Sequence, residues 1–131
     1  MARKLVHRIR KTVKWEAAHV LKGLPPQHPC SRMHGHSYRA EVILRADRLD
    51  DQLGMVLDFN VIKVIRDKLD HQTLNDILGD KNPTAENIAV FFYEALNSIL
   101  LQLGEQDDVI VEKVVVHETE TSSAEVEMVE S

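Results

Sequence analysis

The residues from His36 to Asp47 constrain the fold of this chain more than any other segment, because their side chains alternate between apolar and polar. Only Ile43 interrupts the alternation, which sets Tyr38, Ala40, Val42, Leu44 and Ala46 against Arg39, Glu41, Arg45 and Asp47. Successive side chains of a strand point to opposite faces, so the segment is predicted to be a strand with one buried and one solvated face. A sheet with a solvated face is typical of antiparallel pairing.

Two helices are predicted after this strand. Asp58 is placed to cap the first, whose apolar residues form one stripe and which is expected to end near Asp70. Asn82 as the N-cap and Pro83 as the first helical residue are expected to begin the second, and Gly104 to end it. The segment between the two helices is interpreted as a loop.

Three further strands complete the predicted order of elements. Every second residue of 9–17 is apolar, with Lys11 as the exception. The segment 109–116 is rich in β-branched residues, and in 124–128 apolar and polar residues alternate again. The predicted order is ββααββ, which indicates an α+β fold with a four-stranded antiparallel sheet and two helices on one face. In the third strand, Val109, Val111 and Val115 share one parity, whereas Ile110, Val114 and Val116 share the other. Helices on one side cannot bury both sets, so a partner surface is expected.

Chain length and composition restrict the class of protein. A chain of 131 residues is expected to form one domain, 1–131, with a substantial core. The net charge of −5 argues against a nucleic-acid-binding protein, whose binding surface would be basic. The sequence shows neither the apolar run of a signal peptide nor a segment apolar enough to span a membrane. One cysteine cannot form an internal disulfide, and the chain is therefore interpreted as cytoplasmic.

A candidate metal site lies at the start of the alternating segment. His34 and His36 are two residues apart, so on a strand their imidazoles point to the same face, and Gly35 between them has no side chain on the other. His19 is a third imidazole in an apolar setting, and Cys30 lies four residues before His34. Three neutral imidazoles with one open position are the ligand set of a catalytic zinc. The alternative is an accidental His-x-His pattern.

Taken together, six motifs resemble those of the 6-pyruvoyl tetrahydropterin synthase family. They follow in the family's order from residue 15 to residue 119 and comprise Trp15-Glu-Ala-Ala-His19, Cys30-x-x-x-His34-Gly-His36, Asp58-Phe59, Leu69-Asp-His-x-x-Leu-Asn75, Pro83-Thr-Ala-Glu-Asn87 and His117-Glu-Thr119. The gap of three residues between the cysteine and His-Gly-His resembles that of the bacterial 6-carboxytetrahydropterin synthase branch of the queuosine pathway. The pyruvoyl-forming branch has a longer gap.

The resemblance implies a fold, an assembly and a set of site residues. The fold would be the tunnelling fold, with trimers that pair into a homohexamer and active sites between subunits. His19, His34 and His36 would bind Zn²⁺. The other implied residues are the catalytic Cys30, Asp70 and His71 and the substrate-binding Thr84, Glu86 and Glu118.

Each of the implied residues outside the histidine trio also has a plain structural interpretation. Most free cysteines are small buried hydrophobic residues, which would suffice for Cys30. The pair Asp70 and His71 fits a solvated helix end, where an imidazolium favours the helix dipole. Helix-start residues such as Thr84 and Glu86 and strand-end residues such as Glu118 are common without a ligand.

The implied reaction converts 7,8-dihydroneopterin triphosphate into 6-carboxy-5,6,7,8-tetrahydropterin with release of acetaldehyde and triphosphate. The alternative within the family is 6-pyruvoyl-tetrahydropterin synthase, a triphosphate lyase. An alternative of another class is a non-catalytic zinc- or pterin-binding module. The expected partner is a small-molecule pterin, with no nucleic acid and no membrane.

Overall fold

The structure of the chain is a computed structural model that describes residues 2–130, in which a five-stranded sheet carries helices on one face. In chain order the elements are β1 (His7–His19), β2 (His34–Ala46), α1 (Asn60–Leu69), β3 (Gln72–Thr73), α2 (Leu74–Leu78), α3 (Ala85–Leu103), β4 (Val109–His117) and β5 (Ser123–Glu127). The strand order in the sheet is β3-β1-β2-β4-β5. The α+β class and the positions of the four longer strands are as predicted.

The face of the sheet that carries the helices is the hydrophobic core. The alternation that predicted β2 is confirmed, because Tyr38, Ala40, Val42, Leu44 and Ala46 are all buried. Their partners on β1 continue the same face, and Trp15 stacks on Tyr38 with ring centroids 5.2 Å apart. Phe92 of α3 packs against Trp15 at 5.5 Å. These aromatic contacts fix α3 over the two long strands.

A β-bulge in β4 changes the predicted division of the strand's apolar residues between its two faces. Ile43 pairs with Lys113 and Leu44 with Val111, so Glu112 has no residue opposite it on β2. The extra residue reverses the parity of everything after it. Val109, Val111, Val114 and Val116 therefore all lie buried on the helix face. Ile110 and Val115 remain half-buried on the other face, so fewer apolar residues than predicted call for a partner surface.

The predicted caps of the two long helices are each displaced. Phe59 occupies the N-cap of α1, and the Asp58 carboxylate instead accepts the N–H of Asn60 at 2.9 Å. Thr84, not Asn82, is the N-cap of α3, because its hydroxyl accepts the Asn87 N–H at 3.1 Å. Gly104 ends α3 in the left-handed conformation, as predicted.

The predicted loop between the helices contains two short elements. β3 pairs in parallel with β1, so the sheet has five strands and is not wholly antiparallel as predicted. α2 follows directly and buries Leu74. Elements of two and five residues are too short to show a period in the sequence. Within the described residues, no helix has the length and apolar character needed to cross a membrane.

Candidate active site

The strand register brings the three predicted metal ligands together. His19 and His34 are direct partners in the β1–β2 ladder, and His36 pairs with Ala17 one step along the same face. The Nε2 atoms of His19 and His34 lie 3.0 Å apart, and the ring centroids of His34 and His36 are 4.9 Å apart. The site is thus built by two adjacent strands at one end of the core.

Backbone carbonyl groups fix the tautomers of two of these imidazoles. Nδ1 of His19 lies 2.7 Å from the Pro83 carbonyl oxygen, and Nδ1 of His34 lies 2.7 Å from that of Arg32. A carbonyl oxygen can only accept, so each Nδ1 carries the proton and each Nε2 presents a lone pair. His19 is fully buried, and the Tyr38 hydroxyl lies 3.2 Å from its Nδ1.

The convergence of these lone pairs suits a metal ion. Two unprotonated nitrogens 3.0 Å apart repel each other unless a cation lies between them. Burial is the main cause that lowers the pKa of His36, and it outweighs the nearby Glu118 carboxylate, which raises it. A lowered pKa keeps the imidazole neutral, which is the form that binds a metal. The residues therefore fit the zinc that the resemblance implies.

The Glu118 carboxylate lies within the histidine cluster, a placement of Glu118 that the sequence did not predict. The bulge at Glu112 places Val114, Val116 and Glu118 on the helix face, and without it His117 would face the histidines. Oε1 of Glu118 lies 2.8 Å from Nε2 of His36 and 3.4 Å from Nε2 of His19. One ligand atom from each of the three histidines and Glu118 falls within 4.8 Å of the others. Burial and the Glu118 charge together raise the pKa of Tyr38.

Asp70 and His71 form a second unit at the edge of β1. The Asp70 carboxylate accepts the Glu16 N–H at 3.0 Å and contacts Nδ1 of His71 at 3.1 Å. The His71 N–H in turn donates to the Glu16 carbonyl oxygen, and His71 has a φ of 59°. The hydrogen bond from Glu16 is the main cause that lowers the pKa of Asp70, with His71 and Arg66 adding to it. The pair is thus well ordered, although the His71 side chain is 79% exposed.

Cys30 lies in a closed loop between β1 and β2. It belongs to a short 3-10 turn, Pro29–Ser31, and its carbonyl oxygen accepts the Leu21 N–H at 2.9 Å. The Cys30 N–H donates to Nδ1 of His28 at 3.0 Å. Its thiol is half-buried and does not belong to the cluster of converging ligand atoms found among residues 2–130.

Two asparagines that the sequence reasoning missed as site residues fasten this loop. Asn75 accepts the Val20 N–H and donates to the Val20 carbonyl oxygen, both at 2.9 Å. Asn82 does the same to Lys22, at 2.8 and 3.0 Å. They hold the chain directly after His19 and thereby the start of the Cys30 loop. The sequence signal that could have identified Asn75 as a site residue is its position at the end of the Leu69-to-Asn75 motif.

Thr84 and Glu86 lie at the start of α3. The Thr84 hydroxyl is engaged in the helix cap, and Glu86 is exposed in the first turn. The link to the cluster is the neighbouring Pro83 carbonyl group, which accepts the Nδ1 proton of His19. The start of α3 is therefore tied to the histidines through the backbone.

Comparisons with known proteins bear on this arrangement. A family model described as 6-pyruvoyl tetrahydropterin synthase matches residues 8–128. The chain is 42% identical over 98 residues to the 6-carboxy-5,6,7,8-tetrahydropterin synthase of Synechocystis sp., covering 67% of this chain and 73% of the relative. It is 35% identical over 125 residues to the Aquifex aeolicus protein of the same name, with 76% of each covered.

A solved structure shares the fold. The 6-pyruvoyl tetrahydropterin synthase of Caenorhabditis elegans superimposes with a TM-score of 0.77 over 98% of this chain and 100% of that chain, at 24% identity. At this identity the likeness concerns the fold alone. With the family match over residues 8–128 and relatives that carry the 6-carboxy name, the chain belongs to the 6-pyruvoyl tetrahydropterin synthase family, in its 6-carboxytetrahydropterin synthase branch.

Proposed function

We propose that the protein converts 7,8-dihydroneopterin triphosphate into 6-carboxy-5,6,7,8-tetrahydropterin in queuosine biosynthesis. One water is taken up, and triphosphate and acetaldehyde leave, so that the three-carbon side chain of the substrate yields the carboxyl carbon and the two carbons of acetaldehyde. The observation that carries this proposal is the convergence of His19, His34 and His36 beside Glu118. It combines a metal ligand set with a carboxylate suited to a pterin ring.

The three imidazoles would hold the zinc. When bound, Zn²⁺ supplies Lewis-acid polarisation of the vicinal hydroxyl groups on the substrate side chain. Support comes from the neutral tautomers that Pro83 and Arg32 impose on His19 and His34.

Glu118 would orient the pterin ring. A carboxylate can accept paired hydrogen bonds from the ring amino group and a ring N–H, and charge-assisted bonds of this kind are strong. Thr84 and Glu86 at the start of α3 would help hold the ring. The Glu118 side chain is 22% exposed, so one side remains accessible.

Cys30 and His71 would transfer protons. As a thiolate, Cys30 would accept a proton as a general base. Asp70 would hold the His71 ring through the 3.1 Å contact to its Nδ1, which leaves Nε2 free to exchange a proton. Asp70 remains ionised in this role, because its pKa is lowered.

The site would be completed by assembly into a homohexamer, with Cys30 and His71 drawn from different chains. Two observations favour this. His71 is 79% exposed and is bonded to the backbone of Glu16, whereas the histidine trio faces the core. The sheet also ends in β5, whose outer edge has no strand beside it in the described chain, and open edges favour pairing with another chain.

Product analysis tests the proposed reaction. Purified protein supplied with zinc and 7,8-dihydroneopterin triphosphate should release acetaldehyde in a 1:1 ratio with triphosphate, and mass spectrometry should show the carboxylated pterin. Triphosphate without acetaldehyde would instead support the alternative, 6-pyruvoyl-tetrahydropterin synthase. No turnover by the parent protein beyond that of Cys30→Ala would support a non-catalytic binding module.

A further inference from the structure

Glu118 approaches the histidine cluster as a ligand would. Its Oε1 lies 2.8 Å from Nε2 of His36 and 3.4 Å from Nε2 of His19. Ligand atoms bound tetrahedrally at the usual zinc distances are about 3.3 Å apart. The distance to His19 matches this separation, the distance to His36 is shorter, and the ligand atoms of all four residues converge within 4.8 Å.

The contact between Glu118 and His36 is not a hydrogen bond. Although the two atoms are only 2.8 Å apart, Nε2 of His36 is buried and has no hydrogen-bond partner of acceptable geometry. The Pro83 carbonyl group holds the His19 ring so that the lone pair on its Nε2 also faces this carboxylate oxygen. A cation shared by these atoms would stabilise the arrangement.

The position of Glu118 in the chain allows its side chain to leave the cluster. It follows the last residue of β4, and its N–H donates to the Ser122 carbonyl oxygen across the turn that leads to β5. The next residues of this turn are exposed. The backbone is therefore fixed, while a rotation about the side-chain bonds can turn the carboxylate towards the accessible side.

We propose that Glu118 exchanges partners during the reaction cycle, an inference that rests on the proposed function. In the resting protein Oε1 is the fourth ligand of the metal held by His19, His34 and His36. Paired hydrogen bonds to a pterin ring engage both carboxylate oxygens, so ring binding withdraws Oε1 and opens that position for the substrate hydroxyl groups. The open position thus exists only when the ring is in place.

Cobalt substitution tests the exchange without a turnover assay. Co²⁺ takes the place of zinc, and its visible absorption responds to coordination number and to the charge of the ligands. The probe is pterin unsubstituted at C6, which offers the ring edge to Glu118 but has no side-chain hydroxyl groups for the metal. Addition of pterin should change the cobalt spectrum of the parent protein.

Glu118→Gln and Glu120→Gln form a matched pair of variants. Glu120 is two residues further along, exposed and outside the cluster. Glu118→Gln should alter the cobalt spectrum before any pterin is added and weaken zinc binding in a chelator competition by on the order of tenfold or more. Glu120→Gln should match the parent in both measurements. Glu118→Asp keeps the charge on a shorter side chain and should fall between them.

The outcomes separate this inference from the proposed function. A Glu118→Gln protein with the parent's cobalt spectrum and zinc affinity would overturn the inference, even if turnover by the parent is normal. A cobalt spectrum that changes with the Glu118→Gln substitution but not on addition of pterin would show that Glu118 is a ligand of the metal. It would also overturn the proposed exchange of partners. Failure of the parent to form the carboxylated pterin, with the cobalt results as expected, would count against the proposed reaction alone.

Discussion

The histidine cluster and the Asp70–His71 pair differ in how completely one chain builds them. His19 is fully buried, and its partners come from neighbouring strands of one sheet. His71 extends from the edge of that sheet with 79% of its side chain exposed. A preorganised metal site needs neighbours on every side, whereas an exposed imidazole that acts on a substrate needs a second surface to enclose it. In the proposed assembly, one chain would complete the first site alone, whereas the second would need a neighbouring chain.

Removal of a cluster imidazole should have the largest effect. His34→Ala and His36→Ala should lose stoichiometric zinc and most turnover, on the order of 100-fold or more, because an incomplete ligand set holds the metal weakly. The fold should persist, since both side chains are partly exposed. Metal analysis and circular dichroism measure the two effects, with His7→Ala on β1 as the control. Full zinc content in either variant would remove that residue from the site.

Mixing two inactive variants tests whether the sites are shared. Cys30→Ala and His71→Ala should each lose on the order of 100-fold or more in kcat, the usual contribution of a proton-transfer group. If each site draws these residues from two chains, co-refolding equal amounts should restore about a quarter of the parental sites in a symmetric oligomer.

The control for this experiment mixes Cys30→Ala with the double variant Cys30→Ala/His71→Ala, which should recover nothing. Light scattering on the same samples reports the assembly. A fully active monomer, or a mixture as inactive as its components, would show that one chain supplies both residues of a site.

The convergence of the three imidazoles was predictable because strand parity governs it. His19, His34 and His36 lie in two long strands without irregularity between them, so counting by twos gives their common face. The same count fails for Glu118. The bulge at Glu112 adds one residue to β4, and the hydrophobic pattern does not predict it. Ion pairs with Arg8 and Arg45 hold the Glu112 carboxylate on the polar face.

The surroundings of Asp70 were less predictable for a different reason. The pair of acid and imidazole was recognised from its motif, but its partners are backbone groups of Glu16, 54 residues away in the chain. Backbone hydrogen bonds depend on which segments meet and not on the residue types. The same holds for Asn75 and Asn82, which bind the backbones of Val20 and Lys22.

Asp70→Asn should give a smaller effect and a distinctive pH dependence. Hydrogen bonding to Glu16 and His71 lowers the pKa of Asp70, so its ionised form stabilises the fold above the ordinary aspartate pKa of about 3.9. That stabilisation is lost as pH falls through the lowered value. The variant should therefore be less stable than the parent at neutral pH and converge with it in acid, as measured by denaturant unfolding. A constant difference at all pH values would contradict this origin.

The smallest expected effect, and the sharpest probe of the edge unit, is that of Arg66→Gln. Arg66 donates to the Lys14 carbonyl oxygen and lies 3.2 Å from the Asp70 carboxylate, but it lowers the pKa of Asp70 less than the hydrogen bonds of Glu16 and His71 do. Its removal should reduce the free energy of unfolding only slightly, since ion pairs exposed to solvent contribute little. It should also raise the Asp70 pKa modestly, measured by carbon NMR of the carboxyl group. Lys68→Gln, which removes an equal charge from an exposed position on α1, should leave that pKa in place. An equal shift in both variants would mean that general helix charge, and not the Arg66 contact, orders the pair. In that case the Glu16 N–H would be the contact that fixes the Asp70 carboxylate, and Asp70 would hold the His71 ring without help from Arg66.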